Sequence, residues 1–98
     1  MATYQILYWH DIPLQVRAGG RQDRVSKPLP PRFQDAVDRA AMLAGYTGTD
    51  GYLELLRWSE PEERPGSPEE VAETVAASLE EEYETIDWRK TATDLRDS

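Results

Sequence analysis

The sequence predicts a small α+β domain, in which a mostly antiparallel sheet of three to four strands carries two amphipathic helices on one face, in the order β-β-β-α-β-α. Two observations lead to this class. Short segments with the two-residue alternation of strands fill the first quarter of the chain, and two longer segments have helical periodicity. The length of 98 residues suits one core, and a chain without cysteine has neither disulfides nor thiolate nucleophiles.

The first strand is predicted over residues 3–9, which are rich in the aromatic and branched side chains that strands favour. Alternation divides its large side chains between the two faces of the sheet. Tyr4, Ile6 and Tyr8 fall on one face, and Leu7 and Trp9 fall on the other.

A second strand is predicted after Pro13, where residues 14–18 alternate between apolar and polar types. Residues 19–23 predict a turn, because they include two glycines, which tolerate positive φ angles. Residues 24–27 form the predicted returning strand, although they are short and weakly apolar.

A first helix is predicted to begin at Pro30 and Pro31, since proline suits the first helical turn. It is predicted to end at Gly45, which is placed to adopt the left-handed conformation after a helix. The apolar positions between them have the spacing of one helical face: Phe33, Ala36, Val37, Ala40, Ala41 and Ala44.

Residues 47–51 are predicted to form a loop, and residues 52–58 are predicted to form a further strand. Bulky side chains occur on both faces of that strand. Leu53 and Leu55 share one face, and Tyr52, Leu56 and Trp58 share the other.

The most specific local signal predicts a second helix from Pro68. Ser67 is placed to cap it, and Glu70 follows the serine by three residues, as in a capping box. The apolar stripe continues through Val71, Ala72, Val75, Ala76, Leu79 and Tyr83. We therefore expect one α+β domain over residues 1–84 and a polar, loosely held tail over residues 85–98.

Several short stretches form an ordered set between about residue 4 and residue 83. They are 4–9, Asp11-Ile12-Pro13, Leu29-Pro30 with Arg32-Phe33-Gln34, 47–50 with Tyr52-Leu53, Arg57-Trp58, and 63–67. Together they resemble the small bacterial domain of the "virulence factor" family. The resemblance implies a bacterial module that occurs alone or attached to larger proteins, and it implies no catalytic residues, cofactor or substrate.

The residues themselves do not predict catalysis either. His10 is the one histidine and Asp11 follows it, but neighbours in a strand point to opposite faces, so the two side chains are not expected to converge on a metal ion. We interpret His10 as a surface residue at a strand end. A serine triad needs a histidine base held by a third group, and one histidine without cysteine falls short of a zinc set. We expect no enzyme activity, no metal and no cofactor.

A basic cluster suggests one binding function. The segment 60–84 holds ten acids and one base, and it accounts for the net charge of −8, whereas the first half of the chain is slightly basic. The cluster comprises Arg17, Arg21, Arg24, Lys27 and Arg32. Such residues bind the phosphates of nucleic acids or other anionic ligands. The net negative charge opposes the approach of a polyanion, so nucleic acid is the less favoured partner.

Surplus aromatic surface suggests the favoured function. A small sheet with helices on one side leaves its second face open, and five aromatic residues divide between the two faces: Tyr4, Tyr8, Trp9, Tyr52 and Trp58. We expect an exposed aromatic patch that binds a protein partner or a second copy of the chain. The competing interpretation is that the tail covers this face through Ile86 and Trp88.

The expected function is therefore a non-catalytic interaction or assembly module, with anion binding by the basic cluster, or an accessory role beside an enzyme, as the alternatives. The N-terminal segment has no basic region before its apolar run, and no stretch is apolar enough to span a bilayer. We expect a cytoplasmic protein that does not bind membranes.

Overall fold

The structure is a computed structural model that describes residues 2–20, 22–46 and 49–97, without the side chains of residues 49–51. Within this part of the chain, five strands and four helices form an α+β fold, which confirms the predicted class. Their bounds are β1 Ala2–Trp9, β2 Ile12–Ala18, β3 Val25–Pro28, α1 Pro31–Ala44, α2 Thr49–Glu54, β4 Leu56–Trp58, β5 Glu62–Arg64, α3 Pro68–Glu82 and α4 Trp88–Asp97.

The sheet is antiparallel, and β1 is its central strand. The strand order is β3-β2-β1-β4, and β5 also pairs with β1. β4 pairs with the end of β1, from Leu7 to Trp9, and β5 pairs with its beginning, from Ala2 to Tyr4. Ser59 bridges the gap between the two short strands, since its Oγ accepts a hydrogen bond from the Ile6 amide at 2.8 Å and its own amide donates to the Ile6 carbonyl.

The main core lies between the sheet and α3. Strand pairing places Ile6 opposite Val16 and Tyr4 opposite Ala18, so these side chains share one face. Helix α3 contacts β1, β2 and β3, and α1 contacts β2 and α4. The buried cluster joins Val16 and Ala18 to the apolar residues of the helices, among them Phe33, Val37, Val71, Val75 and Leu79.

Both predicted helices are confirmed. They could be predicted because residues close in sequence determine where they begin or end. Helix α1 runs from Pro31 to Ala44, and Gly45 follows it with φ of 85°. At α3, the amide of Glu70 donates to Ser67 Oγ at 3.2 Å, and the Ser67 hydroxyl donates to the Glu70 carboxylate at 3.1 Å. The serine therefore caps the helix as predicted, with the carboxylate bound to the hydroxyl.

We predict that Ser67→Ala lowers the free energy of unfolding by about 1 kcal/mol, because the amide of Glu70 loses its acceptor. Urea denaturation followed by circular dichroism measures the change. Ser78→Ala is the matched control, since Ser78 donates to the Thr74 carbonyl within the same helix and caps nothing. Equal losses in the two variants would contradict a capping role for Ser67.

The prediction of a strand over residues 52–58 is wrong in its first half. Helix α2 ends at Glu54, and β4 holds only residues 56–58. Of the predicted loop 47–51, residues 47 and 48 lie outside the described residues, and α2 begins at Thr49. The short apolar run fits either element by pattern alone, and a helix brings Tyr52 against the ring of Trp9.

Residues 85–98, predicted as a loosely held tail, include a packed helix. Helix α4 contacts α1, and its residues Thr91, Ala92 and Leu95 are buried. Strand β5 is also unpredicted, since residues 62–64 are Glu-Glu-Arg and have low strand propensity. It forms because β4 is too short to pair with the whole of β1.

Candidate functional site

The five aromatic residues predicted to bind a partner do not share a surface, and Trp9 is unavailable to any partner. Its side chain is 0% exposed. The indole Nε1 donates to the Tyr52 carbonyl at 2.9 Å, and its ring lies 6.4 Å from that of Tyr46 and 5.8 Å from that of Tyr52. Trp9 is therefore buried, and not exposed as the predicted aromatic patch requires, because α2 and Tyr46 enclose the end of β1.

The other four predicted aromatics are half-buried and separated. Tyr4 and Tyr8 share the face of β1 that α3 covers, whereas Trp58 is paired with Leu7 on the opposite face. Tyr52 contacts Trp9 and accepts a hydrogen bond from the Gln34 side chain at 2.9 Å. Three separate environments therefore replace the predicted patch.

The tyrosines beside α3 are held in the neutral form. The Tyr4 hydroxyl donates to Glu62 at 2.6 Å, and this bond raises the pKa of Tyr4. Burial raises the pKa of Tyr8 and of Tyr83, and the Glu82 carboxylate raises both further. Phenols of this kind serve as donors, and they are poor bases or nucleophiles near neutral pH.

The sheet face opposite α3 is covered in part by the chain's own side chains. The Arg17 guanidinium lies 3.8 Å above the Trp58 ring and donates to Gln5 Oε1 at 2.8 Å. Burial lowers the pKa of Arg17, and the neighbouring Arg24 lowers it further. A groove of about 370 Å³ follows the same face, and its lining includes Leu7 and Leu56.

The predicted basic cluster is also divided. Arg17 lies on β2, Lys27 lies on β3, and Arg24 lies in the connection between these strands. Arg21 lies outside the described residues. Arg32 is on α1, where its guanidinium donates to backbone carbonyls in the last turn of α3 and directly after it. These acceptors are the carbonyl oxygens of Glu80 at 3.0 Å, Glu84 at 3.4 Å and Tyr83. Arg32 therefore does not belong to an anion site with the others.

A different surface is exposed and apolar. Met42 is 72% exposed and Leu43 is 45% exposed, and they line a depression of about 600 Å³ together with Arg39 and Trp88. We call these four residues the α1–α4 patch. The guanidinium carbons of Arg39 and Arg89 lie 5.9 Å and 4.9 Å from the Trp88 ring.

The α1–α4 patch is absent from the sequence-based predictions, although the position of Met42 on α1 indicates an exposed apolar surface. Met42 follows Phe33 by nine residues, so at 3.6 residues per turn it points to the opposite side of α1 from the buried stripe. The remaining residues of that outer face are polar, for example Gln34, Asp35 and Asp38. Large apolar residues on the polar side of an amphipathic helix are the observation that predicts such a surface.

The structure brings His10 and Asp11 together, contrary to prediction. Both residues form the turn between β1 and β2, and His10 has φ of 56°, so strand alternation does not apply to them. One ligand atom of each residue and one of Asp94 on α4 lie within 4.8 Å of one another. The Thr91 hydroxyl, on the same helix, donates to Asp11 Oδ1 at 2.7 Å.

Comparison with known families assigns most of this chain. A family model described as "Virulence factor" matches residues 7–90. The chain belongs to the virulence factor family. No curated protein and no solved structure matches this member of the family.

The part of the chain that matches the virulence factor family contains the whole α1–α4 patch. It extends from Leu7 in β1 to Lys90 in the first turn of α4, so Asp94 lies beyond it. None of the helices described in this virulence factor protein is both long and apolar enough to cross a lipid bilayer.

Proposed function

We propose that this member of the virulence factor family is a non-catalytic protein-interaction module, and that the α1–α4 patch is its contact surface. The exposure of Met42 and Leu43 beside Trp88 is the observation that carries the proposal. Contiguous apolar surface of this kind usually marks an interaction site in a soluble domain.

The composition of the patch fits the centre of a protein interface. Tryptophan, arginine and methionine are enriched at such centres, where large side chains pack into a partner. Methionine adapts to irregular partner surfaces because its side chain is unbranched and flexible. Trp88, the first residue of α4, is half-buried and packs against the core, so its side chain has less conformational entropy to lose on binding than an exposed one.

The charges around the patch favour one class of partner. Arg39 and Arg89 both face the ring of Trp88, so cations border the apolar surface at that ring, and Asp35 and Glu84 line the adjoining depression. A second copy bound patch to patch would bring the same arginines together, at an electrostatic penalty. A different protein that presents an apolar segment flanked by carboxylates fits better.

Support for a non-catalytic role comes from how the serine hydroxyls are used. Ser59 accepts from the Ile6 amide, Ser67 caps α3, and Ser78 donates to the Thr74 carbonyl. These three side chains are engaged with structural partners. A serine triad needs instead a histidine base that is held by a third group.

We predict that Met42→Glu weakens partner binding by about 2 kcal/mol or more, the effect typical of a central interface residue. A carboxylate there repels an acidic partner and interrupts the apolar surface. The measurement is quantitative crosslinking and affinity capture from native cells, with the captured protein then titrated against purified variants. We expect the stability of the domain to change by about 0.5 kcal/mol or less, because Met42 is exposed.

Leu53→Glu is the matched control, since Leu53 is 54% exposed and lies outside the patch. The control is expected to bind the partner as the unchanged protein does. Binding that survives Met42→Glu, or that both variants lose equally, contradicts the proposed surface. Sedimentation of the unchanged protein tests the second-copy alternative: a dimer that Met42→Glu dissociates would replace the heterologous partner with a homodimer.

A further inference from the structure

The turn between β1 and β2 and helix α4 together present three metal-ligating side chains. They are His10 and Asp11 from the turn and Asp94 from the helix, and their ligand atoms lie within 4.8 Å of one another. Two elements that are far apart in sequence thus converge at one point. This arrangement differs from a run of acidic residues along one helix, because the imidazole and the second carboxylate come from another element.

The backbone of His10 is held in place by β4 and the residue before it. The His10 amide donates to the Leu55 carbonyl at 3.0 Å, and the Arg57 guanidinium donates to the His10 carbonyl at 3.5 Å. The positive φ of His10 ends the alternation of the strand, and the ligand atoms of His10 and Asp11 lie within 4.8 Å of each other. The backbone of His10 is therefore fixed by one neighbouring segment, residues 55–57.

Asp11 is oriented by a buried donor. The Thr91 side chain is 2% exposed, and its hydroxyl donates to Asp11 Oδ1 at 2.7 Å. Thr91 precedes Asp94 by three residues, so both lie on the same side of α4. Hydrogen bonds of this kind to ligating carboxylates are a regular feature of metal sites, where they fix the ligand and leave its other oxygen for the ion.

One imidazole and two carboxylates are a ligand set for a divalent first-row transition ion. Imidazole favours zinc and its neighbours, and carboxylates accept the same ions. The ligand atoms of a tetrahedral zinc ion lie about 3.4 Å apart, given metal–ligand distances near 2.1 Å. His10 is half-exposed and both aspartates are exposed, so small side-chain rotations bring the three atoms to that separation.

We propose that His10, Asp11 and Asp94 bind a divalent transition-metal ion such as Zn²⁺, with water in the remaining positions, and that this ion ties the turn to α4. Three protein ligands with open positions are a known mode of zinc coordination. Asp11 also lines a depression with Glu82, Asp87 and Lys90, in which carboxylates outnumber the one ammonium group. The proposal is independent of the proposed partner surface, which shares none of these residues.

Titration calorimetry with Zn²⁺ on the untagged protein tests the site, with one ion per chain as the expected result. His10→Gly removes the imidazole and tolerates the positive φ, and Asp94→Asn removes one carboxylate charge. Each is expected to lower the affinity by about tenfold or more, and Thr91→Val, which removes only the supporting hydroxyl, by about tenfold. Asp97→Asn is the matched control, because it makes the same charge change on the same helix outside the cluster, and it is expected to bind as the unchanged protein does.

Nuclear magnetic resonance provides a second measurement. Zn²⁺ is expected to shift the amide signals of the turn and of α4 together in the unchanged protein, and the spectra of the variants show that each is folded. The proposal is overturned if the unchanged protein shows no saturable binding, if His10→Gly binds with unchanged affinity, or if the shifts are confined to one of the two elements.

Discussion

Trp9→Ala is expected to lower the free energy of unfolding by about 3–5 kcal/mol, the largest effect of any substitution considered. The indole is fully buried, and its removal leaves a cavity between β1 and the rings of Tyr46 and Tyr52. The carbonyl of Tyr52 also loses the Nε1 donor. A domain of this size has a total stability of about 5–15 kcal/mol, so the variant is expected to be partly unfolded at 37 °C.

Urea denaturation followed by far-ultraviolet circular dichroism measures this loss without depending on tryptophan fluorescence. Trp58→Ala is the matched control, because Trp58 is half-buried beneath Arg17 and its removal is expected to lower stability by about 1 kcal/mol. Equal, small losses in both variants would show that Trp9 is not the anchor of the core. A Trp9→Ala protein of unchanged stability that fails to bind a partner would restore the sequence-based prediction.

Arg32→Met is expected to lower the free energy of unfolding by about 2 kcal/mol, as typically follows the loss of hydrogen bonds made by a charged group. The guanidinium donates to the carbonyls of Glu80, Tyr83 and Glu84 at the end of α3. Helix ends carry unpaired carbonyls and a partial negative charge, and four glutamates add to that charge here. The positive charge of Arg32 therefore offsets part of the negative charge that the helix dipole and the glutamates place at the C-terminal end of α3.

Methionine keeps an unbranched apolar stem, but it removes the guanidinium together with its hydrogen bonds and its contact with the Phe33 ring, whose centre lies 4.4 Å from the guanidinium carbon. Arg32→Lys is expected to recover only part of the loss, since a single ammonium cannot reach carbonyls spread over one helical turn in the way that a planar fork does. Arg39→Met is the matched control on the same helix. Unfolding midpoints in urea should rank the unchanged protein above Arg32→Lys and Arg32→Lys above Arg32→Met, and a reversed order would contradict the capping role.

Much of the fold could be predicted because its signals are local. Proline at position 31, glycine at position 45 and the capping serine at position 67 mark the ends of α1 and α3, and none of them depends on tertiary structure. Helix α4 has an N-terminal signal of this kind as well, because Asp87 Oδ1 accepts a hydrogen bond from the Lys90 amide at 3.1 Å. Its buried stripe is short and includes Thr91 and Ala92, so the helix depends on the surface that α1 provides.

The sites were harder to predict because they depend on which elements meet. Alternation correctly divides Tyr8 from Trp9, but it cannot indicate that α2 encloses Trp9 completely while Tyr8 stays half-buried beside α3. The same rule fails for His10 and Asp11, because it holds within strands and these residues form a turn. Convergence of Asp94 on that turn follows from the packing of α4, which no local pattern predicts.

The central position of β1 has a consequence for synthesis on the ribosome. β2, which pairs with one edge of β1, follows it directly. The strands that pair with the other edge of β1 are β4 and β5, which lie about fifty residues further along the chain. Until that segment has left the exit tunnel, the nascent hairpin presents an unpaired edge, which is the kind of surface that promotes aggregation and chaperone binding. Completion of the sheet is therefore expected to be the late step of folding, because it requires closure of the largest loop in the sheet.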